Sequence, residues 1–328
     1  MTRPGPAPGL TPKGGVEESP LRTRRGRPCV GPGADTLRPY ATVIAVAALA
    51  LGTGVSVRAQ PPALSVTHRA RALQPGEAVL LVVTSAAPVA DVRATAFDHE
   101  VIFYPGPTPG LWHGLAGIDV ETAPGVYDVA VEARDAAGAT VATARHPLAV
   151  SRRTFPTRRL AVDDAFANPP AGARPRIERE ASQVEEILAR VTRERLWGGE
   201  FTAPVPGATT SRFGRRSVVN GELRSIHGGL DLRAKTGTPV QAPARGRVVL
   251  AADQYFAGNI VIIDHGLGVF SFLAHLSRLF AVEGQEVEQG DRVGLSGATG
   301  RVTGPHVHWG VRVQGARVDP LSLVAVLK

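Results

Sequence analysis

The sequence predicts a mainly β protein with an N-terminal β-sandwich-like domain, a linker helix and a C-terminal antiparallel β domain. Short Val-rich runs that alternate apolar and polar residues recur along the 328 residues, and such alternation is typical of strands with one buried face. The 37 glycines and 27 prolines, with only 5% aromatic residues, favour strands and turns over long helices. The length is typical of about two domains.

Residues 1–59 are expected to carry an export signal. A basic, Pro/Gly-rich stretch precedes the apolar run "ATVIAVAALALGTGVSV" at 41–57, and Val57 and Ala59 suit cleavage after Ala59. The run is short for a membrane span, which needs about 20 residues, although a retained inner-membrane anchor is the alternative. We therefore expect a periplasmic or secreted protein that contacts the membrane only through this signal or anchor.

The net charge of +8 does not indicate a nucleic-acid partner. Residues 1–59 hold eight of the 37 Lys/Arg and three of the 29 Asp/Glu, so the remaining chain is nearly balanced. It has no basic stripe with interleaved aromatics, and we expect no nucleic-acid binding. The single cysteine, Cys29, lies in the same tail. A metal bound further along the chain must therefore be held by His, Asp or Glu.

Residues 60–150 are predicted to form a small β-sandwich of roughly seven short strands. Turn signals such as "QPG" at 74–76 and "DAAG" at 135–138 recur at intervals of about ten residues, as in sandwiches with short strands. Residues 151–200 are predicted to contain a linker and then one amphipathic helix.

The helix is predicted within "RPRIEREASQVEEILARVTRERLW", opened by Pro175 and closed by Gly198-Gly199. Its apolar face is predicted from the residues at helical spacing, with Ile187 on the flank: Ile177, Ala181, Val184, Leu188 and Val191. We expect the charged face to be solvated and the helix to pack between the two domains.

Residues 201–328 are predicted to form the second β domain, and this part holds five of the nine histidines. In "HGGLD", His227 and Asp231 are four residues apart, and the two glycines between them disfavour a helix. In an extended chain these two side chains lie on the same side, where an imidazole and a carboxylate can bind a divalent ion. This spacing also occurs by chance, so it is weak evidence alone.

Two further segments carry histidines. In "HVHWGVRV", which is predicted to be a strand, His306 and His308 share one face. Three interpretations are open: both histidines bind one metal, one binds the metal while the other transfers protons, or the face is only exposed to solvent. His275 ends the apolar run in "FSFLAHLS" and, viewed alone, suits a core histidine. Together the three segments supply enough groups for a zinc site with three protein ligands and two further histidines for proton transfer.

Residues 205–320 closely resemble the lysostaphin-type zinc metalloendopeptidases, which cut peptide bonds in bacterial peptidoglycan. The motifs that carry the resemblance occur in family order: "HGGLD", "TPVQAPARGRV", "GNIVIIDHG", "AHLS", "GATGRVTGPHVHW" and "VDP". The resemblance implies an antiparallel β domain with a narrow groove over Zn²⁺. It implies His227, Asp231 and His308 as the zinc ligands, and His275 and His306 as the catalytic histidines.

The sequence therefore predicts a zinc endopeptidase that hydrolyses peptidoglycan crosslinks with a metal-activated water, and whose partners are the stem peptides. A non-catalytic regulator of cell-wall amidases with the same fold is the alternative, and the intact set of five site residues argues against it. A lipoyl or biotinyl carrier is a third interpretation, because "TPVQAPARGRVVLA" and "VEGQEVEQGDRVGLSG" resemble its two halves. Lys235 lies before the hairpin in which a carrier needs its lysine. The oligomeric state is not indicated.

Overall fold

The computed structural model describes residues 64–160 and 169–328. The export signal or anchor expected at about 41–59 lies outside the described residues.

Seven antiparallel strands form between residues 64 and 150, in agreement with the mainly β prediction. They are β1 (Leu64–Arg69), β2 (Ala78–Ser85), β3 (Asp91–Ala96), β4 (His99–Pro105), β5 (Leu111–Gly117), β6 (Gly125–Arg134) and β7 (Thr140–Val150). Their hydrogen-bonded order is β1-β2-β5-β4-β3-β6-β7. The sheet curls until β1 also contacts β7, and the enclosed core contains Leu81, Val92, Phe103, Val131 and Leu148.

Strand β2 is buried on both faces, which explains its nearly continuous apolar sequence "AVLLVVTS". Val79, Leu81 and Val83 belong to the core inside the N-terminal sheet. Ala78 and Leu80 point the other way and join the core of the C-terminal part. The two β regions therefore share an apolar interface.

A buried ionic cluster lies at the same interface. The Glu77 side chain is nearly inaccessible to solvent and accepts hydrogen bonds from Arg71 at 2.8 and 2.9 Å, from Arg153 at 2.9 Å and from the Ser322 hydroxyl at 2.7 Å. Arg71 also donates to Asp319 at 2.7 Å. Removing one member would leave a buried charge without its partner, so such a substitution should strongly destabilise this interface.

The predicted helix exists, but it is shorter than expected. Helix α1 spans Arg174–Ala189, and the prediction that it continues to Gly198-Gly199 is wrong. At Arg190 the backbone becomes extended, with φ −88° and ψ 90°. Beyond that point the backbone bonds to a distant turn instead; Leu196 N, for example, donates to His265 O at 2.9 Å. These tertiary hydrogen bonds replace further helical ones.

The buried face of α1 also differs from the prediction. Ile187, expected on the flank, is its buried residue, and it packs with Leu250 and Phe270 of the C-terminal sheet. Ala181, expected on the apolar face, is exposed, and Val191 lies beyond the helix and is exposed as well. The helix therefore packs on the C-terminal sheet, and its predicted place between the two domains is wrong.

The C-terminal part is built on a ten-stranded antiparallel sheet. The strands that follow β7 are β8 (Thr157–Leu160), β9 (Thr209–Ser211), β10 (Arg216–Val219), β11 (Glu222–Ile226), β12 (Gly229–Arg233), β13 (Pro239–Gln241), β14 (Gly246–Gln254), β15 (Gly258–Asp264), β16 (Val269–Leu279), β17 (Glu286–Val287), β18 (Arg292–Ser296), β19 (His306–Val313) and β20 (Ala316–Val318). The main order is β17-β14-β15-β16-β19-β12-β9, with β13, β18 and β20 attached beside it.

Three strands form a separate small sheet in the order β11-β10-β8, in which β8 runs parallel to β10. Helix α2 (Pro320–Val326) follows β20, and the Asp319 carboxylate caps it by accepting from Leu321 N at 3.0 Å. Among the helices of the two described ranges, none has the length and apolar character needed to cross a membrane.

Candidate active site

Strand β19 brings the three histidine-bearing segments together because it lies between β12 and β16. Across the β12–β19 pair, Asp231 is directly opposite His308. Across the β16–β19 pair, Ala274 is opposite the same His308. His306 lies two residues earlier on β19 and therefore on the same face, and His227 lies two residues before β12 starts. All five predicted site residues meet in one place.

Three of them form a compact set of ligand atoms. His227 Nε2 lies 2.8 Å from Asp231 Oδ1 and 3.0 Å from His308 Nδ1, and His308 Nδ1 lies 3.0 Å from Asp231 Oδ1. These atoms all lie within 4.8 Å of one another. Two imidazoles and one carboxylate are a donor set found in catalytic zinc sites, so the residues present fit that metal.

The backbone orients the first of these ligands. His227 Nδ1 donates to the carbonyl of Arg212 at 2.9 Å, which turns Nε2 toward Asp231 and His308. A hydrogen bond on the far nitrogen is the usual way in which proteins fix the tautomer and the direction of a ligating histidine.

The remaining two histidines stand beside this set. The rings of His275 and His306 are 4.9 Å apart, and the rings of His275 and His308 are 6.1 Å apart. His275 Nδ1 donates to the carbonyl of Thr299 at 3.0 Å, and His306 Nδ1 donates to that of Gly304 at 2.8 Å. Each ring therefore directs Nε2 toward the groove, where His306 Nε2 lies 3.6 Å from Asp231 Oδ1.

His275 reaches the site through an irregular backbone. Its φ is +66°, a value that residues other than glycine seldom adopt. Strand β16 pairs with β19 as far as Ala274 and with β18 from Leu276 onward, and its pairing with β15 shifts register here as well. Regular alternation would place His275 on the core side with Leu273. The bulge turns it to the side of Ala274 and the other histidines.

The electrostatics keep the carboxylate ionised and two of the imidazoles neutral at pH 7. Burial alone would raise the pKa of Asp231, but hydrogen bonds with His227 and His308 lower that pKa well below its usual range. Burial lowers the pKa of His308. Burial and the neighbouring histidines lower the pKa of His275 to about 4. Metal ligands must be deprotonated, and a neutral imidazole can accept a proton.

The five residues line a groove of about 520 Å³, a size suited to part of a peptide. Helix α1 contributes Val184 to its wall, and the aromatic rings of Phe256 and Phe272 also line it. Four arginines that the sequence analysis did not select line it too: Arg158, Arg215, Arg301 and Arg312. For Arg312 a signal existed, since it shares the alternating face of His306 and His308 in "HVHWGVRV".

His265, the histidine of the motif "GNIVIIDHG", does not line this groove. It is completely buried. Its Nδ1 donates to the Arg245 carbonyl at 2.9 Å, and its Nε2 accepts from the Ser271 hydroxyl, also at 2.9 Å. Burial lowers the pKa of His265 to about 4. Its role is to hold the turn between β15 and β16.

Comparison with known proteins places the same residues in a family. The model of "Peptidase family M23" matches residues 225–320. The peptidoglycan DD-endopeptidase ShyA of Vibrio cholerae is 43% identical over 96 residues, which cover 29% of this chain and 22% of that protein. The DD-carboxypeptidase/endopeptidase Mpg of Neisseria meningitidis is 42% identical over 114 residues, which cover 35% of this chain and 26% of that protein. The chain thus spans about a quarter of the length of these curated relatives.

A solved structure extends the similarity beyond the groove. A putative peptidase M23 from Pseudomonas aeruginosa aligns with a TM-score of 0.61 and 30% identity, over 77% of this chain and 96% of that protein. The fold and the His/Asp cluster are typical of a mainly β domain of the M23 type. The chain belongs to peptidase family M23, the lysostaphin-type family, and the resemblance identified in its sequence is confirmed.

Proposed function

We propose that this protein is an exported zinc endopeptidase that hydrolyses the peptide crosslinks of bacterial peptidoglycan. The convergence of His227, Asp231 and His308 with two further histidines in one groove is the observation that carries the proposal. Relatives named as peptidoglycan DD-endopeptidases support this substrate. We propose the D-alanyl–diaminopimelate crosslink as the bond, with glycine-rich peptides as the alternative. The apolar run at 41–57 supports export to the periplasm.

In this proposal His227, Asp231 and His308 hold the metal. When bound, zinc supplies a Lewis acid that polarises the scissile carbonyl and lowers the pKa of the attacking water. The Asp231 carboxylate contributes one negative charge, and its low pKa keeps the ligand set intact at neutral pH. Histidines that hold a metal do so as neutral imidazoles, so the bound set would carry a net charge of −1 toward a divalent ion.

His275 and His306 handle protons and charge beside the metal. Because each Nδ1 is held by a backbone carbonyl, each ring offers Nε2 to the reacting atoms in a fixed direction. A neutral imidazole there removes a proton from the attacking water, and an imidazolium returns one to the leaving amine. A donor from the second ring stabilises the developing oxyanion.

The first test is digestion of purified crosslinked peptidoglycan with and without a chelator, followed by mass analysis of the fragments. We expect loss of crosslinked dimers, no loss with chelator, and recovery when zinc is added back. The fragment masses identify the bond that is cut. A protein that binds no zinc and releases no fragments would instead support the non-catalytic regulator.

Variants separate the two kinds of histidine. His308→Ala removes a ligand and should abolish both zinc binding and turnover. His306→Ala should keep stoichiometric zinc and lose turnover by about 10²- to 10⁴-fold, the contribution of a positioned acid or base. His99→Ala, at an exposed position on β4, is the matched control and should change neither. Loss of zinc from His306→Ala with retention in His308→Ala would reverse the two assignments.

A further inference from the structure

Arg312 lies in the active-site groove on the same strand face as the histidines. It is four residues after His308 on β19, so its Cα lies about 13 Å along the strand from that of the ligand. Gly310 stands between them on this face and carries no side chain. The His308 ring and Phe272 border the space over Gly310, and the groove continues along this face from the histidine cluster to Arg312.

The guanidinium of Arg312 is substantially buried, and none of the carboxylates in the described ranges lies within ion-pairing distance of it. Asp119, whose charge acts on Arg312, is engaged by Arg317: the backbone N of Arg317 donates at 2.8 Å, Nε at 3.0 Å and an Nη at 2.7 Å. Glu121 also pairs with Arg317. Arg317 in turn lies directly opposite Arg312 across the β19–β20 pair. Like charges placed opposite each other destabilise a sheet.

Burial and the Arg317 charge lower the pKa of Arg312 to about 10, so this arginine is still charged at neutral pH. The fold therefore holds a desolvated guanidinium that has no carboxylate in direct contact, because the two nearby carboxylates, Asp119 and Glu121, both pair with Arg317. Such an arrangement costs stability, and a ligand that brings an anion into the groove offsets this cost.

The position of the guanidinium is partly defined by an aromatic ring. Arg312 Cζ lies 5.9 Å from the centroid of Phe272, which itself lines the groove. A guanidinium stacked on a ring keeps its edge free, and that edge presents a planar fork of N–H donors that matches a carboxylate. Arg301 repeats the arrangement elsewhere in the groove, with Cζ 4.4 Å from the centroid of Phe256, but Arg301 is exposed.

We propose that Arg312 binds a carboxylate of the substrate peptide close to the scissile bond and thereby makes the enzyme selective for peptides whose carboxylates are free. The inference rests on the proposed function, because stem peptides supply such carboxylates on diaminopimelate and at their ends. The paired fork of hydrogen bonds distinguishes a carboxylate from a carboxamide, which replaces one acceptor oxygen with a donor.

The test compares two synthetic crosslinked peptides that contain the D-alanyl–diaminopimelate bond, one with free diaminopimelate carboxylates and one with these converted to carboxamides. In the zinc-loaded wild-type protein we expect a kcat/KM about 10- to 100-fold higher for the free acid. Arg312→Met should lose that advantage and cut both peptides at the low rate, and Arg312→Lys should keep part of it. Arg145→Met removes an equally positive but exposed side chain outside the groove and should behave as wild type.

Binding provides a readout that does not depend on turnover. In the zinc-loaded His275→Ala protein, titration calorimetry should show tighter binding of the free acid than of the carboxamide, and the additional Arg312→Met substitution should remove the difference. Equal effects of Arg312→Met on both peptides, or loss of selectivity in Arg301→Met alone, would overturn the assignment to Arg312. If wild-type protein binds the free acid selectively through Arg312 but cuts neither peptide, the proposed function fails while this inference stands.

Discussion

The irregular backbone at His275 leads to a prediction with an unusual sign. In a regular strand, glycine is less stable than alanine by about 0.5–1 kcal/mol, because it loses more backbone entropy on folding. At φ +66°, however, any residue with a Cβ pays about 1–2 kcal/mol that glycine avoids. His275→Gly should therefore be more stable than His275→Ala, by about 1 kcal/mol once the two terms are combined.

The neighbouring residue provides the matched control. Ala274 lies in β16 one position earlier, is buried and has no positive φ. Ala274→Gly should therefore destabilise the protein by about 0.5–1 kcal/mol, the ordinary sign for a strand. The same exchange of alanine for glycine should thus have opposite effects at two adjacent positions.

Urea unfolding followed by fluorescence of the buried tryptophans Trp197 and Trp309 measures these differences. The protein should be kept free of metal, since an ion that binds only the folded state adds its own stabilisation. Both His275 variants lack the ring and should lose turnover. If His275→Gly unfolds at a lower urea concentration than His275→Ala, the backbone at this position is not strained and the reasoning is wrong.

Two further predictions concern residues around the site. The pKa of His265 is about 4 in the folded protein and 6.5 in the unfolded chain. Between these pH values the unfolded chain takes up a proton on this histidine, and the folded protein does not. The protein should therefore lose stability as the pH falls from about 6.5 to 4. Over this pH range, the free energy of unfolding measured in urea should fall by about 3 kcal/mol more for the wild-type protein than for His265→Gln. An equal fall in both proteins would show that His265 does not cause the pH dependence. Gly229→Ala would place its Cβ 2.3 Å from the Trp309 carbonyl oxygen, whereas a Cβ at Gly228 meets nothing closer than Arg317 Cδ at 3.9 Å. Gly229→Ala should push β12 away from His308, so calorimetric titration should show weaker zinc binding. The same substitution should lower the stability of the protein by about 1–3 kcal/mol. An equal effect of Gly228→Ala would contradict this reasoning.

Much of the candidate site could be predicted from local patterns. The shared face of His306 and His308 follows from the two-residue period of a strand, which depends only on the backbone of one segment. The same period relates His227 to Asp231 across two glycines. The mainly β class likewise follows from alternation and turn signals, which are local properties of the chain.

The sequence did not determine where the helix ends or which face it buries. Val191 continues the helical period of the residues before it, yet it lies outside α1, since the backbone after Arg190 bonds to the turn between β15 and β16. Periodicity also suggested Ala181 on the buried face, whereas the C-terminal sheet contacts Ile187. In both cases contacts with residues far along the chain, in the turn between β15 and β16 and in the C-terminal sheet, selected one of several conformations that the local sequence allows almost equally.

What the sequence by itself determined is the class of fold, the family and the candidate residues that meet in the groove, because these depend on residue types and short spacings. Only the tertiary structure decided how they meet. The register of β12 on β19 puts Asp231 opposite His308, and the bulge in β16 turns His275 from the core side into the groove. That Arg312 has no direct carboxylate partner likewise emerges only from the tertiary structure, in which Asp119 and Glu121 both pair with Arg317. Register, bulges and charge balance depend on contacts between segments far apart in the chain, and no local pattern contains them.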